Sequence, residues 1–217
     1  MTPLISPDAE QHALDQTTPL TGQLATAAEW TRSNTANPIM MSGLAEVRLL
    51  EVLILTGAAK RVLEIGTFTG VGTIAMANAL PDDGRVITLE RDGDNAASAR
   101  RHFEASGVGD RIELIVGDAL QTLPTLAGPF DLVYIDAWKT DYPAYYQAVG
   151  PKLAPRGVIV ADNLFRGGAV LDPSDADEGT RGMREFTRQV QADSRMHNVL
   201  LTIGDGVMLA WRNPAAR

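Results

Sequence analysis

The chain has no cysteine, which excludes disulfides, zinc–thiolate centres and a thiol nucleophile. Its three histidines, His12, His102 and His197, are scattered and read as structural or surface residues, so any metal must be held by oxygen. Positive charge is also scarce. Against 27 Asp and Glu stand 19 Lys and Arg, a formal net charge of −8, and no basic cluster resembles a nucleic-acid footprint. A phosphate backbone would be repelled, and a small-molecule partner is expected. No apolar run reaches membrane-spanning length, and Met1–Glu10 lacks the basic start and apolar core of an export signal. A soluble, cytoplasmic protein that engages no membrane is expected. What is present is 217 residues, 45% of them hydrophobic, enough for one compact domain with a sizeable core and short for two.

Residues 1–37 are polar, carry Pro3, Pro7 and Pro19, and read as a loosely ordered segment or as short helices docked on a single domain over 38–217. Met41, Leu44, Val47, Leu50, Val52 and Leu55 recur at roughly helical spacing, which predicts a helix over Pro38–Leu55 with Gly57 as its stop. Short β-branched runs then alternate with helical stretches. Strands are predicted at Arg61–Ile65, Arg85–Glu90, Arg111–Val116, Phe130–Ile135 and Gly157–Ala161, and helices at Thr73–Leu80, Asp94–Ser106, Leu120–Leu126 and Tyr142–Leu153. Such alternation means an α/β, doubly wound, mostly parallel sheet with helices on both faces. Residues 164–179 are polar and glycine-rich, expected as a mobile loop beside the site, with a helix over Thr180–Asp193 after it. The last two apolar runs, Asn198–Ile203 and Val207–Trp211, are joined only by Gly204-Asp205-Gly206. That is too short for a parallel crossover, so they must close a seven-stranded sheet as an antiparallel hairpin.

The first strand runs into Glu64-Ile-Gly66-Thr-Phe-Thr-Gly70-Val-Gly72, the tight turn at which a doubly wound fold binds an adenosine-containing ligand. A dinucleotide fingerprint requires G-x-G-x-x-G, whereas Phe68 occupies the second glycine position, which counts against NAD. Glu90 closes the second strand, placed to accept hydrogen bonds from ribose hydroxyls. Together with the terminal hairpin, these residues resemble the class I S-adenosylmethionine-dependent methyltransferases. The resemblance implies S-adenosylmethionine as cofactor. It also implies contacts from Met41, Glu64, Gly66, Thr67, Gly70, Gly72, Glu90, from Asp118 and Ala119 after the third strand, and from Asp136.

Strand four ends in Asp136-Ala-Trp138-Lys139 and strand five in Asp162-Asn163. The carboxyl ends of adjacent strands share one crevice, so two carboxylates and an amide oxygen should converge as a hard partial shell suited to magnesium. Methyl transfer to oxygen needs a deprotonated nucleophile, and a phenol with a pKa of about 10 is mostly protonated at neutral pH. A cation stabilises the oxyanion, and Lys139, with its pKa lowered by the cation and by burial, is expected to accept the proton.

The segments Asp136-Ala-Trp-Lys139-Thr-Asp-Tyr142 and Asp162-Asn163 resemble those of the metal-dependent O-methyltransferases, the group that contains catechol and caffeoyl-coenzyme A O-methyltransferases. The resemblance runs from about Met40 to Arg212. It implies Asp136, Asp162 and Asn163 as magnesium ligands, Lys139 as general base and a homodimer. Many relatives have an acid where this chain has Trp138, which either borders a small, flat, chelating aromatic or packs under the loop. Gly72 and Val47 also depart from the common pattern. The expected acceptor is a vicinal dihydroxy aromatic; the alternative is a larger carrier- or coenzyme A-linked acceptor. From other classes stand a nicotinamide-dependent oxidoreductase and a non-catalytic cofactor-binding protein.

Overall fold

The computed structural model describes residues 6–215; the outermost parts of the two predicted segments, 1–5 and 216–217, lie outside the described residues. Seven strands, β1 (Arg61–Ile65), β2 (Arg85–Glu90), β3 (Ile112–Val116), β4 (Phe130–Ile135), β5 (Leu153–Ala161), β6 (Met196–Leu201) and β7 (Val207–Arg212), form one sheet in the order β3-β2-β1-β4-β5-β7-β6. The first five are parallel, and β7 runs antiparallel between β5 and β6. Strand order reverses between β1 and β4. There the loops that leave the carboxyl ends diverge and open a crevice.

The helices are α1 (Pro7–Asp15), α2 (Gly22–Asn34), α3 (Leu44–Gly57), α4 (Val71–Ala79), α5 (Gly93–Ser106), α6 (Ala119–Thr122), α7 (Tyr142–Val149) and α8 (Glu178–Ala192). Period-two alternation sorts the strand side chains. Val62, Tyr134 and Val160 pack with Leu50, Ile54, Ile74 and Phe103 on one face, while Leu63, Val133, Ile135 and Ile159 meet Tyr142, Tyr146 and Phe186 on the other. Burial on both faces is why these strands read as apolar nearly throughout.

In the N-terminal segment, α1 buries none of its residues, but α2 buries Leu24, Ala27, Ala28 and Thr31. Thr31 Oγ1 lies 2.7 Å from Thr69 Oγ1 in the loop after β1. Trp30 sits edge-on to His102, whose Nδ1 lies 2.8 Å from the Thr69 carbonyl. A segment without a motif thus props the loop that faces the crevice.

Other boundaries move for local reasons. The helix predicted from Pro38 starts only at Leu44, because Pro38–Met40 forms a 3-10 turn and Met41 and Gly43 are extended. The α7 helix stops at Val149, a 3-10 turn with Pro151 intervenes, and β5 begins at Leu153 rather than Gly157, with a register irregularity between Phe130 and Leu132. The polar segment 164–179, expected as a loose loop, contains a 3-10 stretch over Arg166–Leu171. The Arg184 guanidinium of α8 donates to the carbonyls of Ala169, Val170, Asp172 and Asp175 in it.

Candidate active site

Three left-handed residues shape the loop after β1: Gly66 (φ 98°), Phe68 (φ 50°) and Gly70 (φ 90°). A Cβ on Gly66 would lie 2.0 Å from the Asp136 carbonyl oxygen, so its bare backbone lets the loop pass directly under the end of β4. Gly70 serves a different purpose from the cofactor contact expected of it. A Cβ there would strike the Phe103 ring at 2.4 Å, and Gly70 does not line the crevice. The Glu90 carboxylate receives the N–H groups of Thr67 (3.2 Å), Phe68 (2.7 Å) and Asp92 (2.9 Å). Besides facing the crevice, it therefore fixes the loop.

Glu64 is buried beneath this loop, where it accepts hydrogen bonds from the hydroxyls of Thr73 and Thr88 (2.5 Å to the latter). Thr88 in turn lies 2.5 Å from Thr67 Oγ1. Burial pushes the Glu64 carboxyl up from its ordinary 4.5 to about 8, partly offset by the two hydroxyl donors. The folded protein thus holds a proton that an unfolded chain releases near pH 4.5. This contribution to stability is fully present below that pH and is lost as pH rises through about 8. Glu64→Gln keeps an acceptor for both threonines without a charge to bury. Thermal unfolding of the ligand-free variant between pH 5 and 9 should lose most of this decline, and at pH 9 it should melt about 5 °C or more above the parent. An equally steep decline in the variant would exclude Glu64 as its source.

At the ends of β4 and β5, Lys139 Nζ donates to Asp136 Oδ1 (2.7 Å), Asn163 Oδ1 (2.6 Å) and Tyr142 Oη (3.0 Å). Tyr142 Oη lies 3.1 Å from the carbonyls of both Ile135 and Asp162, so it stitches the two strand ends together. Asn163 has φ 61°, a left-handed conformation that Asn tolerates better than most residues. Beside it, Asp162 accepts from the Asn163 N–H (2.6 Å) and from the Tyr134 hydroxyl (3.1 Å), which is 3.2 Å from Ser42 Oγ. Burial, and then the charges of Asp136 and Glu46, push the Asp162 carboxyl up. Burial acts downward on the Lys139 ammonium, but the Tyr142 oxygen and the Asp136 carboxylate outweigh it and hold it well above its usual value. The lowering expected from the sequence belongs to the protein with a cation bound beside the lysine.

These groups share a cleft of about 1850 Å³. Of the residues expected from sequence, Met41, Glu64, Gly66, Thr67, Gly72, Glu90, Asp118, Ala119, Asp136, Trp138, Lys139, Asp162 and Asn163 all line it, and only Gly70 does not. Asp118 also caps α6 by accepting from the Leu120 N–H (2.8 Å). Trp138 stands at the rim with 66% of its surface exposed, so it is not packed under the loop. None of the three histidines lines the cleft. Sequence reading missed Tyr142, Tyr134 and Glu46. Tyr142 lay within the quoted segment but was indistinguishable from an ordinary first-turn aromatic, and Glu46 sits on a helix whose start was misplaced.

A reversed strand order, an antiparallel terminal pair and a glycine loop facing an acid at the end of β2 define the class of methyltransferases built on a Rossmann-like sheet. Within that class the chain belongs to the O-methyltransferase family, whose model matches residues 15–213. It is 45% identical over 166 residues to a catechol O-methyltransferase of Mycobacterium tuberculosis, covering 72% of this chain and 74% of that protein. A catechol O-methyltransferase of Niastella koreensis is 38% identical over 172 residues, covering 75% and 78%. Among solved structures, the O-methyltransferase TomG from Streptomyces achromogenes, in complex with SAM, superposes with a TM-score of 0.87 at 33% identity over 95% of this chain and 96% of that one. The O-methyltransferase from Bacillus cereus, in complex with SAH, gives 0.87 at 31% identity over 95% and 97%. The protein is an O-methyltransferase, and the nicotinamide-dependent and non-catalytic readings are left without support.

Proposed function

We propose that this enzyme transfers a methyl group from S-adenosylmethionine to one oxygen of a vicinal dihydroxy aromatic, with Asp136, Asp162 and Asn163 holding a divalent cation, magnesium by preference, and Lys139 acting as base. The observation that carries the proposal is the convergence of Asp136 Oδ1 and Asn163 Oδ1 on one cationic nitrogen, 2.7 and 2.6 Å away, at the crevice ends of neighbouring strands. The donor set suits a hard cation. All its atoms are oxygens, and burial, with the negative charges of Asp136 and Glu46 added to it, pushes the Asp162 carboxyl up. A divalent cation bound there supplies charge that stabilises an acceptor oxyanion and offsets the Asp136 carboxylate. S-adenosylmethionine supplies the methyl group as a sulfonium, for which Met41, Glu64, Gly66, Thr67, Gly72, Glu90, Asp118, Ala119 and Asp136 offer one continuous wall.

The remaining work falls to the side chains. With a cation bound, Asp136 would turn to it and the Lys139 ammonium, no longer paired, would release a proton to solvent; the neutral Nζ would then accept the proton of the attacking hydroxyl. The Trp138 ring, exposed at the rim, offers a flat face to a flat acceptor. The left-handed backbone of Asn163 aims its amide oxygen back into the crevice. A homodimer and a cytoplasmic location belong to the same proposal; no helix among the described residues is long and apolar enough to cross a membrane.

A second reading comes from the open rim. The cleft of about 1850 Å³ takes S-adenosylmethionine as well as the acceptor, and with Trp138 exposed at its edge a carrier- or coenzyme A-linked acceptor can extend outward. A panel of catechol, resorcinol and a coenzyme A thioester of a dihydroxycinnamate, assayed with magnesium, separates the cases. Catechol should exceed resorcinol at least about tenfold in kcat/KM, because only vicinal oxygens can share two metal positions. Equal rates would end the chelation reading, and a strong preference for the thioester would select the larger acceptor.

A further inference from the structure

We propose that Arg166 is a specificity-determining residue that receives a carboxylate carried by the aromatic acceptor, so that the preferred substrates are dihydroxy aromatics with an anionic substituent. This rests on the acceptor class proposed above and narrows it.

Among the described residues three cations line the cleft: Arg91, Lys139 and Arg166. Arg91 follows Glu90 at the end of β2, away from the strand ends that carry Asp136 and Asn163, and Lys139 is engaged by those two residues. Arg166 lies three residues beyond Asn163 and donates its backbone N–H to the Asn163 carbonyl (3.3 Å), which puts it at the acceptor end. Its Nη2 donates to Asp177 Oδ1 at 2.6 Å, but its Nε is buried and has no hydrogen-bond partner among the described residues. Nε is out of reach and Nη2 is held by Asp177, whereas Nη1 makes no hydrogen bond among the described residues and 32% of the side chain is exposed, so the Nη1 side of the guanidinium is the one an arriving carboxylate can take. Asp177, Glu178 and Asp205 adjoin Arg166 and Asp141 lines the same cleft, so at this end Arg166 is the charge that can offset an anionic group.

Two further features point to retention of the side chain for its chemistry. Arg166 has φ 52°, a conformation that glycine adopts freely and arginine does not, and Gly167 (φ 62°) and Gly168 (φ 91°) continue it. A glycine at 166 would relieve that strain. The guanidinium also lies over bare backbone at Gly179, where a Cβ would come within 3.0 Å of Nη2 and 3.1 Å of Cζ, so Gly179 keeps the space the group needs.

The test compares catechol with 3,4-dihydroxybenzoate on the parent, Arg166→Gln and Arg166→Gly proteins, by kinetics with magnesium and by calorimetric binding with S-adenosylhomocysteine present. The parent should favour the carboxylated acceptor about tenfold or more in both kcat/KM and Kd, and both variants should lose most of that ratio through KM. Arg166→Gly should melt no lower than Arg166→Gln. A ratio near one in the parent, or a ratio unchanged in the variants, would overturn the proposal. If the carboxylate preference in binding is present and Arg166-dependent but neither compound is methylated, Arg166 stands and the acceptor reading above falls. If both are methylated and bound alike, the reverse holds.

Discussion

Lys139→Ala is expected to lower kcat by about 10²- to 10⁴-fold, the usual contribution of a positioned general base. The Kd for S-adenosylhomocysteine should stay within about twofold, since none of the hydrogen bonds of Lys139 reaches the loop after β1 or Glu90. The split between turnover and binding separates a base from a structural ion pair. Loss of the ammonium leaves Asp136 and Asn163 with facing oxygens and no cation between them, so the ligand-free variant should also melt lower, which circular dichroism will register. Lys139→Met, which keeps an unbranched apolar side chain but not the ammonium that stands 5.1 Å from the Tyr142 ring centroid, should regain part of that melting temperature and none of the rate. Lys139→Arg should not rescue turnover, because a guanidinium stays protonated in proteins and cannot accept the proton. Near-normal kcat in Lys139→Ala would move the base elsewhere.

Much of this arrangement was legible from residues alone. The strands Arg61–Ile65, Arg85–Glu90 and Phe130–Ile135 fall where the apolar β-branched runs begin and end, because burial on both faces keeps their interiors mostly apolar. Asp136, Lys139, Asp162 and Asn163 could be grouped before any coordinates, because adjacent parallel strands deliver their carboxyl ends to one crevice. What escaped depended on side chains distant in sequence. Pro151 and Pro155 hid the first residues of β5, which pair with Phe130 across an irregular register. Arg184 holds the carbonyls of a loop whose composition alone read as loose. Gly70 looked like part of a ligand cradle but answers to the Phe103 ring of α5, and spacing alone does not distinguish a glycine that admits a ligand from one that admits a neighbouring helix. That Asp136 and Tyr142 together hold the Lys139 ammonium also could not be read, since it turns on which groups lie nearest and not on burial alone.

Removal of divalent metal is expected to abolish most activity: EDTA treatment should lower kcat by about 10²-fold or more and added magnesium should restore it, as loss of several kcal/mol of charge stabilisation requires. In Asp136→Ala added magnesium should not restore activity, and calorimetric titration of magnesium into that variant should lose the binding signal of the parent, a readout independent of catalysis. Asn163 allows a sharper test. At φ 61° a glycine is relaxed, so Asn163→Gly removes the amide oxygen while relieving backbone strain, whereas Asn163→Ala removes it and keeps the strain. If the residue serves only to turn the chain, Asn163→Gly should be fully active and Asn163→Ala impaired through stability. If the amide oxygen is a ligand, both should bind magnesium at least about tenfold more weakly, and the glycine variant should do so while melting above the alanine variant, since both lose the Lys139 hydrogen bond and only the glycine relieves the backbone. The opposite pattern, with normal metal affinity in Asn163→Gly, would remove Asn163 from the metal set and leave two carboxylates to hold the cation.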